Sequence, residues 1–124
     1  MATSVSELVS EAKGRIENLG PDQVAAEQEK GALLVDIREP AELQKSGQIA
    51  GAIHAPRGML EFHADPKTPY YMPEFESDRR IVLYCASGGR SALAADALQR
   101  MGYTNVAHLD GGLKAWSEQQ PEAR

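Results

Sequence analysis

One cysteine, Cys85, is the only thiol in this chain, so no intrachain disulfide can brace the fold and no oxidising compartment is needed to make it. No run of 18 or more apolar residues occurs, which excludes a membrane-spanning helix. Basic clusters are missing too. With 13 basic against 18 acidic residues and a net charge of −5, the chain has no electrostatic reason to seek nucleic acid or a membrane surface. The first residues, Met1 to Lys13, lack an apolar signal core and carry Glu7 and Glu11, so neither a secretory nor an organellar address is read there and the cytoplasm is the expected location. Internal repeats and low-complexity stretches are absent. At 124 residues there is room for one domain with a full core.

The lone thiol stands at a junction. Arg80-Ile81-Val82-Leu83-Tyr84 has the composition of a buried strand, Ala86-Ser87-Gly88-Gly89 is a small flexible turn, and Arg90 to Met101 has helical periodicity with Ala94, Ala97, Leu98 and Met101 on one face. Cys85 therefore faces the N-terminus of a helix, where backbone N–H groups are unpaired and the helix dipole is positive. Such surroundings, like a neighbouring cation, lower a thiol pKa from about 8.5 toward or below neutrality. Arg90 would supply the cation, and Gly88 and Gly89 allow the backbone to curl its N–H groups into an anion-binding nest. An inert buried cysteine is the competing reading, but this turn has no large apolar side chain to cover the sulfur.

Around this junction strands alternate with helices. Val5 to about Arg15 reads as an amphipathic helix with Val5, Leu8, Val9 and Ala12 on one face, and Gly20-Pro21-Asp22 starts a second helix that runs to about Glu29. Short strands are expected at 32–37, 50–55 and 105–109, helices at 39–45 and 113–119, and a helical turn at 59–63 inside a long connection from Arg57 to Asp78. The connection's aromatics, Phe62, Tyr70, Tyr71 and Phe75, are expected to pack rather than form a lid, and Trp116 to anchor the last helix on the core. The pattern is that of an α/β domain with a mostly parallel sheet, in which ligands bind at the carboxyl ends of the strands. Asp36 and Arg38, His54 to Arg57, and Cys85 all fall on that edge.

Asp36 is expected to support the pocket rather than catalyse, because a nearby carboxylate would oppose thiolate formation. Ser87 could donate to a bound anion or merely shape the turn, and Ser91 could cap the helix. His54, His63 and His108 lie on separate segments without ligand spacing, so no metal and no cofactor is expected.

Four blocks, in order, resemble the rhodanese-like sulfurtransferases: Leu34-Val35-Asp36-Ile37-Arg38; Gly47 to Pro56; Cys85 to Ser91; and Met101 to Val106 continuing through Leu109-Asp110-Gly111-Gly112-Leu113-Lys114-Ala115-Trp116. The resemblance implies a five-stranded, mostly parallel sheet with helices on both faces. It implies a domain over residues 20–120, preceded by a helical extension (1–19) and followed by a short tail (121–124). Cys85 matches the family's sulfur-carrying cysteine, and Ala86, Ser87, Gly88, Gly89 and Arg90 match its substrate loop, with Arg38 and Arg57 as further anion ligands and Asp36 and Ser91 in support. A loop of six residues from Cys85 to Arg90 suits sulfur transfer, whereas the related dual-specificity phosphatases have one residue more. The implied partners are an anionic sulfane donor such as thiosulfate and a cyanide, thiol or protein acceptor. A docking or sulfur-relay module on a specific protein is the second reading, with a phosphatase or arsenate reductase behind it.

Overall fold

The computed structural model describes residues 2–119. In chain order the elements are α1 (Val5–Lys13), β1 (Glu17–Leu19), α2 (Pro21–Glu29), β2 (Leu33–Asp36), α3 (Pro40–Ser46), β3 (Ile53–His54), a 3-10 turn (Arg57–Met59), α4 (Leu60–His63), β4 (Ile81–Tyr84), α5 (Gly89–Arg100), β5 (Val106–Leu109) and α6 (Gly112–Gln119). The five strands form one parallel sheet in the order β1-β5-β4-β2-β3. The expected tail, 121–124, lies outside the described residues.

The apolar runs become strands buried on both faces, because successive side chains point to opposite sides of the pleat. Leu33, Val35, Ile81 and Leu83 face a core shared with Leu60, Phe75, Ala94, Ala95 and Leu98. Their alternates Leu34, Val82 and Tyr84 face a second core with Val24, Leu109, Leu113 and Trp116. Each fully buried aliphatic side chain contributes about 1.5–3 kcal/mol of transfer free energy, so these two layers are the main source of stability. Helices α1 and α5 pair on one side of the sheet and α2 and α6 on the other. No helix among the described residues is long and apolar enough to cross a membrane.

The structure corrects three expectations. The 1–19 segment is not helical throughout: Glu17–Leu19 forms an edge strand paired with β5, stabilised by the ladder rather than by its own mixed composition. In α5 the sheet-facing positions are Ser91, Ala94, Ala95 and Leu98, while Met101 is 39% exposed; the i, i+3, i+4, i+7 stripe starts at a polar serine, which disguises its phase. In α1 only Ala12 is fully buried, and Val5 and Leu8 stay exposed because the helix meets α5 through its C-terminal half. Within the long connection, Phe75 is buried edge-on to Tyr103, Tyr71 donates its hydroxyl to the Phe75 carbonyl, and Phe62 and Tyr70 pair with each other outside the core.

Candidate active site

Strand β4 lies at the centre of the sheet, and Cys85 is the residue that follows it. The turn that leads into α5 pivots on Gly88, whose φ of 109° is left-handed and whose Cβ, if present, would sit 3.1 Å from the Gly111 nitrogen. This turn aims two backbone donors at the sulfur: Gly88 N–H at 3.2 Å and Ser91 N–H at 3.4 Å from Sγ. Against the expectation that nothing covers the sulfur, Cys85 is only 1% exposed: the small residues of the turn do not bury it, but the core beneath β4 and α5 does. Ser87 points outward, and the half-buried Gly89 lies beside the Val9 side chain of α1.

The loop is held from behind by α6. Leu113 N–H donates to the Cys85 carbonyl at 2.8 Å and Lys114 N–H to the Ala86 carbonyl at 3.1 Å, so the free donors at the start of one helix satisfy the loop that begins another. Such close approach requires glycine at position 112, where a Cβ would lie 2.5 Å from the Ala86 oxygen. The Gly111-Gly112 doublet lets α6 touch the loop.

A polar chain, buried at Ser91 and His108, reaches the sulfur from the other side. Cys85 Sγ lies 3.6 Å from Ser91 Oγ, Ser91 Oγ lies 2.8 Å from His108 Nδ1, and His108 Nε2 lies 2.8 Å from Asn18 Oδ1. Asn18 and His108 are opposite one another in the β1–β5 register, and His108, alternating with Ala107 and Leu109, is turned toward α5. Burial pushes the His108 imidazole down to about 4, so it is neutral at physiological pH.

Each expected arginine is engaged by a carboxylate. Arg38, 1% exposed, is clamped by Asp36 at 2.7–3.2 Å, donates to Ser46 Oγ and the Gly47 carbonyl, and lies over the Tyr84 ring. His54 supports the same turn through the Arg38 carbonyl at 2.7 Å. Arg90 is held bidentately by Glu42 of α3, and that contact, with burial opposing it, holds the Glu42 carboxyl down to about 2. Arg57 pairs with Glu61 and lines a different cavity, between α1, α4 and α5, so it is not gathered with the other two. His63 bonds to the Tyr70 carbonyl in the long connection.

Beside the loop, between α3 and α6, is an open cleft of about 250 Å³ with Ala86 on its wall and Lys45 and Lys114 at its rim. Both lysines are exposed, and among the described residues neither makes an ion pair. Since Arg38 and Glu42, which also line it, are already neutralised by partners, the uncompensated charge of the cleft is that of the two lysines.

Residues 20–119, which hold strands β2 to β5 of the parallel sheet and the Cys-x4-Arg loop, match the family model of the rhodanese-like domain. The chain belongs to the rhodanese-like family. A sulfurtransferase of Allochromatium vinosum is 41% identical over 85 residues, 68% of this chain and 71% of that one. A thiosulfate sulfurtransferase of Pseudomonas syringae, GlpE, is 31% identical over 102 residues, covering 82% and 88% of the two chains. Among solved structures, a protein of unknown function from Rhodopseudomonas palustris, described as a possible tyrosine phosphatase, superposes with a TM-score of 0.90 at 41% identity over 96% of this chain and 92% of that one. A rhodanese-related protein from Thermoplasma volcanium superposes at 0.66 with 29% identity, over 84% and 93%. This rhodanese-like domain thus sits among relatives named for sulfur transfer, with the fold expected from the four sequence blocks.

Proposed function

We propose that this rhodanese-like domain is a sulfurtransferase that carries sulfane sulfur on Cys85. The observation that carries the reading is the sulfur at the end of the central strand, with the Gly88 and Ser91 N–H groups aimed at it inside a Cys-x4-Arg loop. The Cys85 thiolate attacks the outer sulfur of thiosulfate or a related donor; a new S–S bond forms, the donor's S–S bond breaks, and sulfite leaves with its electron pair. Backbone N–H groups and the helix dipole stabilise the sulfur anion before and after this step. Cyanide or a thiol then attacks the outer sulfur of the persulfide and returns Cys85 to the thiolate, which gives a two-step covalent cycle with ping-pong kinetics. Lys45 and Lys114 draw the donor anion to the cleft, Arg90 contributes when Glu42 yields it, and Asp36, Arg38 and Ser91 hold the framework.

The description of the Rhodopseudomonas palustris structure as a possible tyrosine phosphatase favours a second reading, hydrolysis of a phosphate ester by the same thiol. Mass spectrometry separates the two. Exposure to thiosulfate is expected to add the mass of one sulfur atom to the wild type and nothing to Cys85→Ala, with no release of p-nitrophenol from its phosphate ester. Hydrolysis without a sulfur adduct would establish the phosphatase; neither activity would leave a docking module.

A further inference from the structure

The polar chain behind Cys85 has no part in the sulfur-transfer steps above, yet its proton positions are determined. Asn18 Nδ2 donates to the carbonyls of Lys13 and Ile16, at 2.9 and 3.3 Å, which turns Oδ1 toward His108. An amide oxygen only accepts, so His108 Nε2 must carry the ring proton. A neutral imidazole has one N–H, and its Nδ1 is therefore a bare acceptor. Of the acceptors near the Ser91 hydroxyl, Nδ1 at 2.8 Å is closer than the Gly88 carbonyl at 3.3 Å, so the single Ser91 proton goes to His108. What Ser91 then presents to Cys85, 3.6 Å away, is an oxygen lone pair.

We propose that His108 is a positioning residue for Cys85: by taking the Ser91 proton it makes the Ser91 oxygen an acceptor for the S–H, so that the chain Asn18–His108–Ser91 favours the resting thiol and restrains its nucleophilicity. Ionised sulfur would meet a lone pair instead of a donor. Turning the hydroxyl to the sulfur would relieve that repulsion but would strand Nδ1 of a fully buried ring without a partner. The hydrogen bonds to the anion thus come from the backbone donors Gly88 and Ser91, with the Arg90 charge and the helix dipole acting at longer range. The flanking charges come in closed pairs: Arg90 with Glu42 between α5 and α3, and Lys13 of α1 with Asp110 after β5, the latter pair also bordering His108. This inference deepens the sulfurtransferase reading, since a sulfur carrier gains from a thiol that resists oxidation and stray alkylation between turnovers.

The test is the rate of alkylation by iodoacetamide at fixed, mildly acidic pH, which reads the thiol directly and does not depend on which substrate the domain uses. His108→Phe leaves the Ser91 hydroxyl the Gly88 carbonyl and the sulfur as acceptors, and once the sulfur ionises its charge draws the proton away from the neutral carbonyl, so alkylation is expected to rise about three- to ten-fold. His108→Asn, which can keep an acceptor near the Nδ1 position, is expected to restore a rate close to wild type. In a Ser91→Ala background His108→Phe should change nothing. Should His108→Phe fail to fold, the surface variant Asn18→Ala releases the tautomer and is expected to accelerate alkylation in the same sense; ring-nitrogen NMR shifts report the tautomer itself. Equal rates in wild type and His108→Phe, an acceleration that persists without Ser91, or a proton found on Nδ1 would overturn the proposal. A loss of sulfur loading from thiosulfate with these alkylation differences intact would count against the transferase reading alone.

Discussion

Glu42 grips Arg90 with both carboxylate oxygens, at 2.8 and 3.0 Å, and so occupies the cation that the Cys-x4-Arg loop would otherwise offer to an incoming anion. The pair is half-exposed, so it contributes at most about 1 kcal/mol to stability. Glu42→Gln weakens this grip, and the KM for thiosulfate is expected to fall about two- to five-fold with little change in kcat. Steady-state kinetics at low ionic strength check it; an unchanged KM would mean that Arg90 does not meet the donor. Because the Glu42 carboxyl is held down to about 2, the pair's contribution is complete above the ordinary carboxylate range and is lost progressively as pH falls from there to about 2.

Lys45 and Lys114 carry the free positive charge of the cleft beside Ala86. Replacing both by alanine is expected to raise the KM for thiosulfate about three- to ten-fold at low salt. The difference should shrink near 1 M salt, where the screening length is about 3 Å. A salt-independent effect would point to shape rather than charge.

Gly112 has a φ of 62° and no room for a Cβ against the Ala86 carbonyl. Gly112→Ala is expected to cost about 1–3 kcal/mol in urea unfolding and to depress sulfur loading more than its stability loss explains, because the loop must shift to accept it. Loading at the wild-type rate would show that α6 does not set the loop.

Arg38 and Asp36 form a buried pair whose guanidinium also donates to Ser46 Oγ and the Gly47 carbonyl. Arg38→Ala strands a buried carboxylate and is expected to cost about 3–5 kcal/mol of stability. An apolar pair, Arg38→Met with Asp36→Leu, should regain much of it and keep sulfur loading. If loading is lost while the fold recovers, Arg38 has a role in binding.

His108 couples folding to acid. Its imidazole is held down to about 4 in the folded chain against an ordinary 6.5, so the unfolded chain binds a proton first. The full stability is present above about 6.5 and is lost as pH falls through about 4, by up to about 3 kcal/mol. Chemical denaturation at a series of pH values is expected to show this slope in the wild type and a flatter one in His108→Asn.

How much of this could be read along the chain depends on where the information resides. The buried strands β2 and β4 announce themselves because both faces are mostly apolar, β5 by its short apolar run around His108, and the Cys85 turn by its paired glycines. Strand β1 does not, since Glu17 and Asn18 gain strand geometry only from pairing with β5. Glu42 is invisible as a partner of Arg90, and Asn18 as a partner of His108, because 48 and 90 residues separate them. Ser91 reads along the chain as a helix cap, but Gly88 is the N-cap and Ser91 lies within α5; its position between sulfur and imidazole follows from the phase of α5, which Met101 obscures.

The two carbonyls of Cys85 and Ala86 find their donors in Leu113 and Lys114, near the far end of the described chain. The loop is thus finished from downstream. During synthesis its strand, its glycines and its helix all emerge before the residues that clamp it, so a nascent chain stopped short of α6 carries the thiol without its full mount.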